Sequence, residues 1–333
     1  VNDRAAVTEF ILSRAREANL CSVYPIAAIT LGQRGELLAD FDELRSAGAR
    51  GVSDDGRPVE RRELMRQAME RAGSLGLAVI SHCEELSLSA GGVMHEGAVS
   101  LRLGLKGIPA ASEEGMVQRE ISLARETGFP VHIAHVSTAG SVERIRRAKE
   151  EGIRVTAETA PHYFSLDHRA VVEYNTRAKM NPPLRGPEDV EAIKRGLAEG
   201  VIDVIATDHA PHSQAEKSAA FEKAPFGIVG LETAVPLTLR LVSEGVLTLP
   251  DAVRKLSTAP AALLGVAGGV LAEGAVADLA ILDPEYSYVL TAEGMRSKGK
   301  NSPFIGWSMK GITVITMVGG RIVWERKLQH PGR

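Results

Sequence analysis

Cysteine is nearly absent, with only Cys21 and Cys83 in 333 residues. Neither belongs to a CxxC pair and both sit in apolar runs. A disulfide framework is therefore excluded, and the expectation is two buried free thiols in a reducing, cytoplasmic compartment. Long hydrophobic stretches are missing as well. "VYPIAAITLG" is among the longest runs, at about ten residues where a membrane helix needs about 20. The N-terminus lacks the charged-then-apolar order of a secretory signal. Neither sign of charge dominates, since 39 basic and 42 acidic residues leave a formal charge of −3. Without a polybasic block, nucleic acid and anionic membranes are poor partners. No GxGxxG follows the first strand-like run, which argues against a dinucleotide site. There is no low-complexity segment, and the chain begins "VNDRAAVTEF" without Met, so it reads as a fragment.

What is present is a rhythm. Apolar residues make up 44% of the chain, enough for a large core. Residues 3–18 place them at helical spacing, and "CSVYPIAAIT" (21–30) reads as a strand. Helical and strand patterns then alternate through "ARGVSDDG", "LAVISHCEE", "FPVHIAHVS", "IRVTAETAPH" and "VIDVIATDHAPH". Short strands preceded by amphipathic helices that end near Gly are the repeats of a parallel α/β sheet. Periodicity alone does not decide between a (β/α)8 barrel and an open doubly wound sheet. The polar residues favour the barrel, because Asp54, Asp55, His82, His135, His162 and Asp208 all stand at C-terminal strand ends, where a barrel keeps its chemistry. Past residue 230 the chain reads as helical. From about 270, "GAVADLAILDPEYSYVL" and "GITVITMVGGRIVWE" alternate like antiparallel strands around a Gly-Gly turn. The expected division is a barrel over 1–268 and a C-terminal β-sandwich segment with its tail over 269–333.

Zinc takes imidazole nitrogen and carboxylate oxygen, and a hydrolytic site keeps one position for water. Asp55, His82, His135 and Asp208 have that chemistry. In "DDG", Asp54 reads as the turn residue. His132 lies three positions before His135, and strand alternation predicts that it packs outside the barrel. His95, His168 and His330 read as structural.

The stretches "VSDDGRPV", "ISHCEE", "GGVMHEGAVS", "GIPAASEE", "VHIAHVSTAGSVE", "KMNPPLR", "DVIATDHAPH" and "APFGIVGLET" resemble the type I dihydroorotases of the amidohydrolase superfamily over essentially the whole chain. Hydantoinases and allantoinases share the barrel and its His ligands but usually carry a carboxylated lysine where this chain has Asp55. The resemblance implies a binuclear Zn2+ site, with Asp55 bridging, His82 and His135 on one ion, and Asp208 on the other as general base. It implies substrate contacts at Asn181, His212 and the backbone of Phe226 and Gly227. It also implies a small-molecule substrate, self-association, and aspartate carbamoyltransferase as a partner. The family's His-x-His pair with Arg, and its Asn after the second strand, have no match here. The expectation is thus a barrel missing its first two βα units, with partial zinc occupancy. Truncation is favoured over two alternatives, a non-catalytic partner of aspartate carbamoyltransferase and a hydantoinase-type cyclic amidohydrolase.

Overall fold

The computed structural model describes residues 1–326, so His330 lies outside the described part. In chain order the strands are β1 (Ile26–Ala27), β2 (Gly51–Val52), β3 (Ala78–Ser81), β4 (Met94–His95), β5 (Gly107–Ile108), β6 (Val131–Ile133), β7 (Val155–Thr159), β8 (Val204–Ile205), β9 (Leu279–Val289), β10 (Ser308–Val318) and β11 (Arg321–Glu325). The helices are α1 (Ala5–Ala18), α2 (Phe41–Ser46), α3 (Arg62–Ser74), α4 (Leu86–Ser89), α5 (Ala98–Leu103), α6 (Ala110–Thr127), α7 (Ala139–Glu150), α8 (Pro187–Ala198), α9 (Gln214–Lys217) and α10 (Ala234–Ser243), followed by short helical turns to Leu263.

Helix α3 shows why these segments form. Leu64, Met65, Ala68, Met69 and Ala72 fall on one buried stripe, while Arg66 pairs with Glu63 and Glu70 on the wet side. Thr138 caps α7 by accepting the Ser141 N–H, and Pro187 opens α8. The helices cover one face of a six-stranded sheet ordered β1-β2-β3-β6-β7-β8. Every pairing in it is parallel.

That order follows the chain without a reversal, so the sheet has no switch point of the doubly wound kind. The register also steps along the strands. Strand β3 offers Ala78 and Val79 to β2 but Ile80 and Ser81 to β6, and β7 offers Val155–Ala157 to β6 but Glu158 and Thr159 to β8. Such a stagger tilts strands around an axis, which is barrel geometry. The core fills the layer between sheet and helices, where Val52, Ala68, Val117, Ile133, Ile145, Ala157 and Ile193 are fully buried. Each larger aliphatic side chain of that layer contributes about 1.5–3 kcal/mol by burial.

Strands β9, β10 and β11 form the antiparallel sheet expected near the C-terminus, with Gly319 and Gly320 at the turn. Leu290, Met295, Phe304 and Met309 join the same hydrophobic cluster as the barrel. Two details differ from expectation. The first strand covers only Ile26–Ala27, and Cys21 is exposed, although Cys83 is buried as expected. The run 20–24 is apolar, yet it carries the chain from the end of α1 to the sheet, and among the described residues nothing covers it. Among the described residues, no helix is long and apolar enough to cross a membrane.

Candidate active site

Five of the sheet's strands, β2, β3, β6, β7 and β8, deliver side chains to one edge. Past β2 the chain turns at Asp54, whose carbonyl accepts the Arg57 N–H. Its buried carboxylate does more than open that turn. It accepts the N–H groups of Ile29 at 2.7 Å and Thr30 at 3.1 Å, together with the Thr30 hydroxyl, and so ties the end of β2 to the end of β1. This anchorage leaves the next residue, Asp55, to project from the edge.

Asp55, His82 and His135 converge. His82 Nδ1 lies 2.9 Å from His135 Nε2, and Asp55 Oδ1 lies 3.2 Å from the first and 3.1 Å from the second. Among the described residues they form the one group of three or more potential metal ligands whose ligating atoms all lie within 4.8 Å of one another. Both imidazoles are buried, while the Asp55 side chain is 56% exposed. Partial burial would raise the Asp55 carboxyl, but hydrogen bonds from His135 and His82 outweigh it and hold Asp55 well below the usual carboxylate range. Burial would lower His135, and the hydrogen bond and charge of Asp55 push it up to about 9 instead. The three groups thus share protons at the lone pairs that a dication would take.

Asp208, past β8, stands outside this group. Burial raises its carboxyl, with the negative charges of Asp55 and Glu158 adding to the rise and His135 opposing it. Its backbone, at φ 46°, and that of His135, at φ 35°, occupy the left-handed region. Non-glycine residues are held there only where surrounding structure compels it, commonly at functional sites. His209, beside Asp208, is a satisfied loop residue whose Nδ1 accepts the Gly230 and Leu231 N–H groups. His162 is buried, and burial together with the nearby His135 charge lowers it to about 3, so it stays neutral.

His132 does not pack outside the barrel. Ser81, on the helix side of β3, bonds Glu120 of α6, and it pairs in register with Ile133. His132 therefore takes the inner side, where its Nδ1 lies 2.8 Å from Thr156 Oγ1 and its Nε2 lies 3.1 Å from Glu158. Alternation holds within β6 but ends at Ile133. His135 reaches the same interior because the chain bends at its left-handed φ.

The substrate-contact residues proposed from sequence fall in two places. Asn181 Nδ2 donates to Glu84 Oε2 at 2.9 Å, and the same oxygen lies 2.9 Å from His82 Nε2. His212 Nε2 lies 2.8 Å from the Phe226 carbonyl, joining the loop after β8 to "PFG". Both backbone groups of Gly227 are engaged, its N–H with Lys179 O at 3.0 Å and its carbonyl with Asn301 Nδ2 at 3.1 Å. A Cβ on Gly227, at φ +113°, would stand 2.5 Å from Ala210 Cβ. Gly227→Ala is expected to cost about 1–3 kcal/mol of stability, read as a lowered midpoint in urea. An unchanged midpoint would show that the loop adjusts freely.

Sequence reading passed over Glu84, Asn301 and Lys179. Glu84 had a local signal, a carboxylate two residues after a candidate ligand. Asn301 had none, yet it receives the His212 N–H and donates to Ala210 O and Gly227 O. Lys179 is buried, and its ammonium is held by the carbonyls of Phe221, Glu222 and Ala224 beneath the same loop.

A Dihydro-orotase-like family model matches residues 1–141 and an Amidohydrolase family model matches residues 98–324. Dihydroorotase from Geobacter metallireducens is 53% identical over 326 residues, 98% of this chain and 77% of that protein. Dihydroorotase from Pelotomaculum thermopropionicum is 54% identical over 329 residues, again 98% and 77%. Among solved structures, L-hydantoinase (dihydropyrimidinase) from Arthrobacter aurescens superposes with a TM-score of 0.83 at 25% identity, covering 97% of this chain and 74% of that one. Dihydropyrimidinase from Brevibacillus agri gives 0.76 at 24% identity over 86% and 67%, a likeness of fold. The solved neighbours share the barrel, while identity above one half along nearly the whole length is with dihydroorotases, and the chain belongs to the dihydroorotase family of the amidohydrolases.

Proposed function

We propose that the chain is a zinc-dependent cyclic amidohydrolase that interconverts dihydroorotate and N-carbamoyl-L-aspartate. The observation that carries this reading is the convergence of Asp55 Oδ1, His82 Nδ1 and His135 Nε2 within 3.2 Å at neighbouring strand ends. Two imidazole nitrogens and a carboxylate oxygen suit zinc and leave a position for water. These three residues would hold the ion. For a second ion the proposed ligands are Asp55 and Asp208 alone, both carboxylates.

Bound zinc supplies an acidified water and an electrophilic pull on a carbonyl oxygen. Asp208 takes the proton that the attacking water gives up. It returns that proton to the ring nitrogen as the amide C–N bond breaks, and the second water proton leaves to solvent as the new carboxyl group ionises. In the reverse direction Asp208 removes the proton from the nitrogen that closes the ring. Asn181 and His212 hold the polar groups of the substrate, with Phe226 and Gly227 forming the adjacent wall. Cytoplasmic location, self-association and docking to aspartate carbamoyltransferase belong to the same reading, and sedimentation with and without that enzyme tests the last two.

The function is tested by following dihydroorotate opening with the zinc-loaded chain. No turnover in either direction with zinc bound, by the chain extended to the length of its dihydroorotase relatives, overturns the reading. The metal site has its own expected result, one tightly held zinc per chain by elemental analysis after dialysis against a weak chelator, rather than two. Its affinity should rise with pH up to about 9, because the His135 proton competes for the ligand lone pair below that value. His135→Ala should weaken zinc by more than about 100-fold, beyond the range of an outer partner.

A further inference from the structure

Glu84 lies two residues past His82, is buried, and stands outside the ligand triad. One of its oxygens, Oε2, meets both His82 Nε2 and Asn181 Nδ2 at 2.9 Å, spanning 97 residues of sequence in the second contact. We propose that Glu84 is a positioning residue that couples metal capture to substrate capture, by orienting His82 toward the triad and Asn181 toward the substrate through one oxygen. The inference rests on the metal and substrate reading above.

The chemistry of the three groups supports it. A neutral imidazole carries one N–H, and a carboxylate that accepts at Nε2 keeps the hydrogen there. The Nδ1 lone pair is then left facing Asp55 and His135. An ionised carboxylate accepts and does not donate, so Asn181 must turn its NH2 group, not its Oδ1, toward Glu84. One N–H is committed in that bond and the second remains for an anionic substrate. A ligand that orders either side of Glu84 therefore orders the group on the other side, and such coupling is reciprocal.

The experiment compares the parent, Glu84→Ala, Asn181→Ala and the double variant. Zinc affinity is read by competition with a chromophoric chelator, and N-carbamoyl-L-aspartate affinity by calorimetry on zinc-loaded protein. Glu84→Ala should weaken zinc about 10–100-fold and the substrate about tenfold. Asn181→Ala should weaken the substrate alike while leaving zinc within about twofold, and the double variant should bind substrate no more weakly than Asn181→Ala alone. Glu84→Gln, which keeps a neutral acceptor, should recover most of the substrate affinity but only part of the zinc affinity, and it replaces Glu84→Ala if that variant does not fold. Unchanged zinc affinity in the Glu84 variants, or substrate losses that multiply in the double variant, would overturn the coupling. A parent that binds zinc but no N-carbamoyl-L-aspartate would instead sink the substrate reading, with the zinc comparison still deciding the Glu84–His82 half.

Discussion

Asp208→Asn should lower kcat by about 10²–10⁴-fold, the usual contribution of a positioned acid–base group, while zinc at the triad stays bound. Asp208 is outside the three converging ligands, so its loss spares them. Its carboxyl is raised by burial and by the negative charges of Asp55 and Glu158, a state suited to accepting and returning a proton. Asn keeps the shape and removes the titrating group, so the loss should fall on turnover rather than on folding. The control is His132→Asn. His132 lies in the same interior but is engaged with Thr156 and Glu158 and is not one of the three converging ligands. Its replacement should cost less than about tenfold. Equal losses in the two variants would mean that packing of the barrel interior, not proton transfer at residue 208, limits the rate.

The second large effect is substrate choice, where the chain extended to the length of its dihydroorotase relatives should prefer dihydroorotate over hydantoin and allantoin by about 10⁴ in kcat/KM. Dihydroorotate carries a carboxylate that the uncharged rings lack. A site built to bond a polar group rejects an analogue without it, because its own buried donors are left unpaired. Asn181 and His212 are the half-buried polar groups in question, and both are held by their neighbours, the first by Glu84 and the second by Phe226 and Asn301. Asn181→Ala and His212→Ala should each erode the preference, mainly by slowing dihydroorotate. Assays of all three rings side by side check this, and faster turnover of either uncharged ring by the parent would favour a hydantoinase-type enzyme.

Much of the molecule was legible in the chain itself. Alternating helix and strand patterns located all six strands of the parallel sheet, and the Gly-Gly pair located the turn of the antiparallel one. Asp55, His82 and His135 could be picked out because each closely follows an apolar run that must be a strand, and strand ends of a parallel sheet share one edge. These are local properties, set by backbone periodicity and by turn chemistry over a few residues. Tertiary structure alone decided the rest. Alternation could not place His132 and His135, because the strand ends between them and the chain bends at a left-handed residue. Apolar composition could not bury Cys21, because burial needs something to pack over the run. Glu84 meeting Asn181, and Asn301 meeting His212, join residues 97 and 89 apart. No sequence period records such pairings, which exist only once the sheet curves and brings its strand ends and the C-terminal segment together.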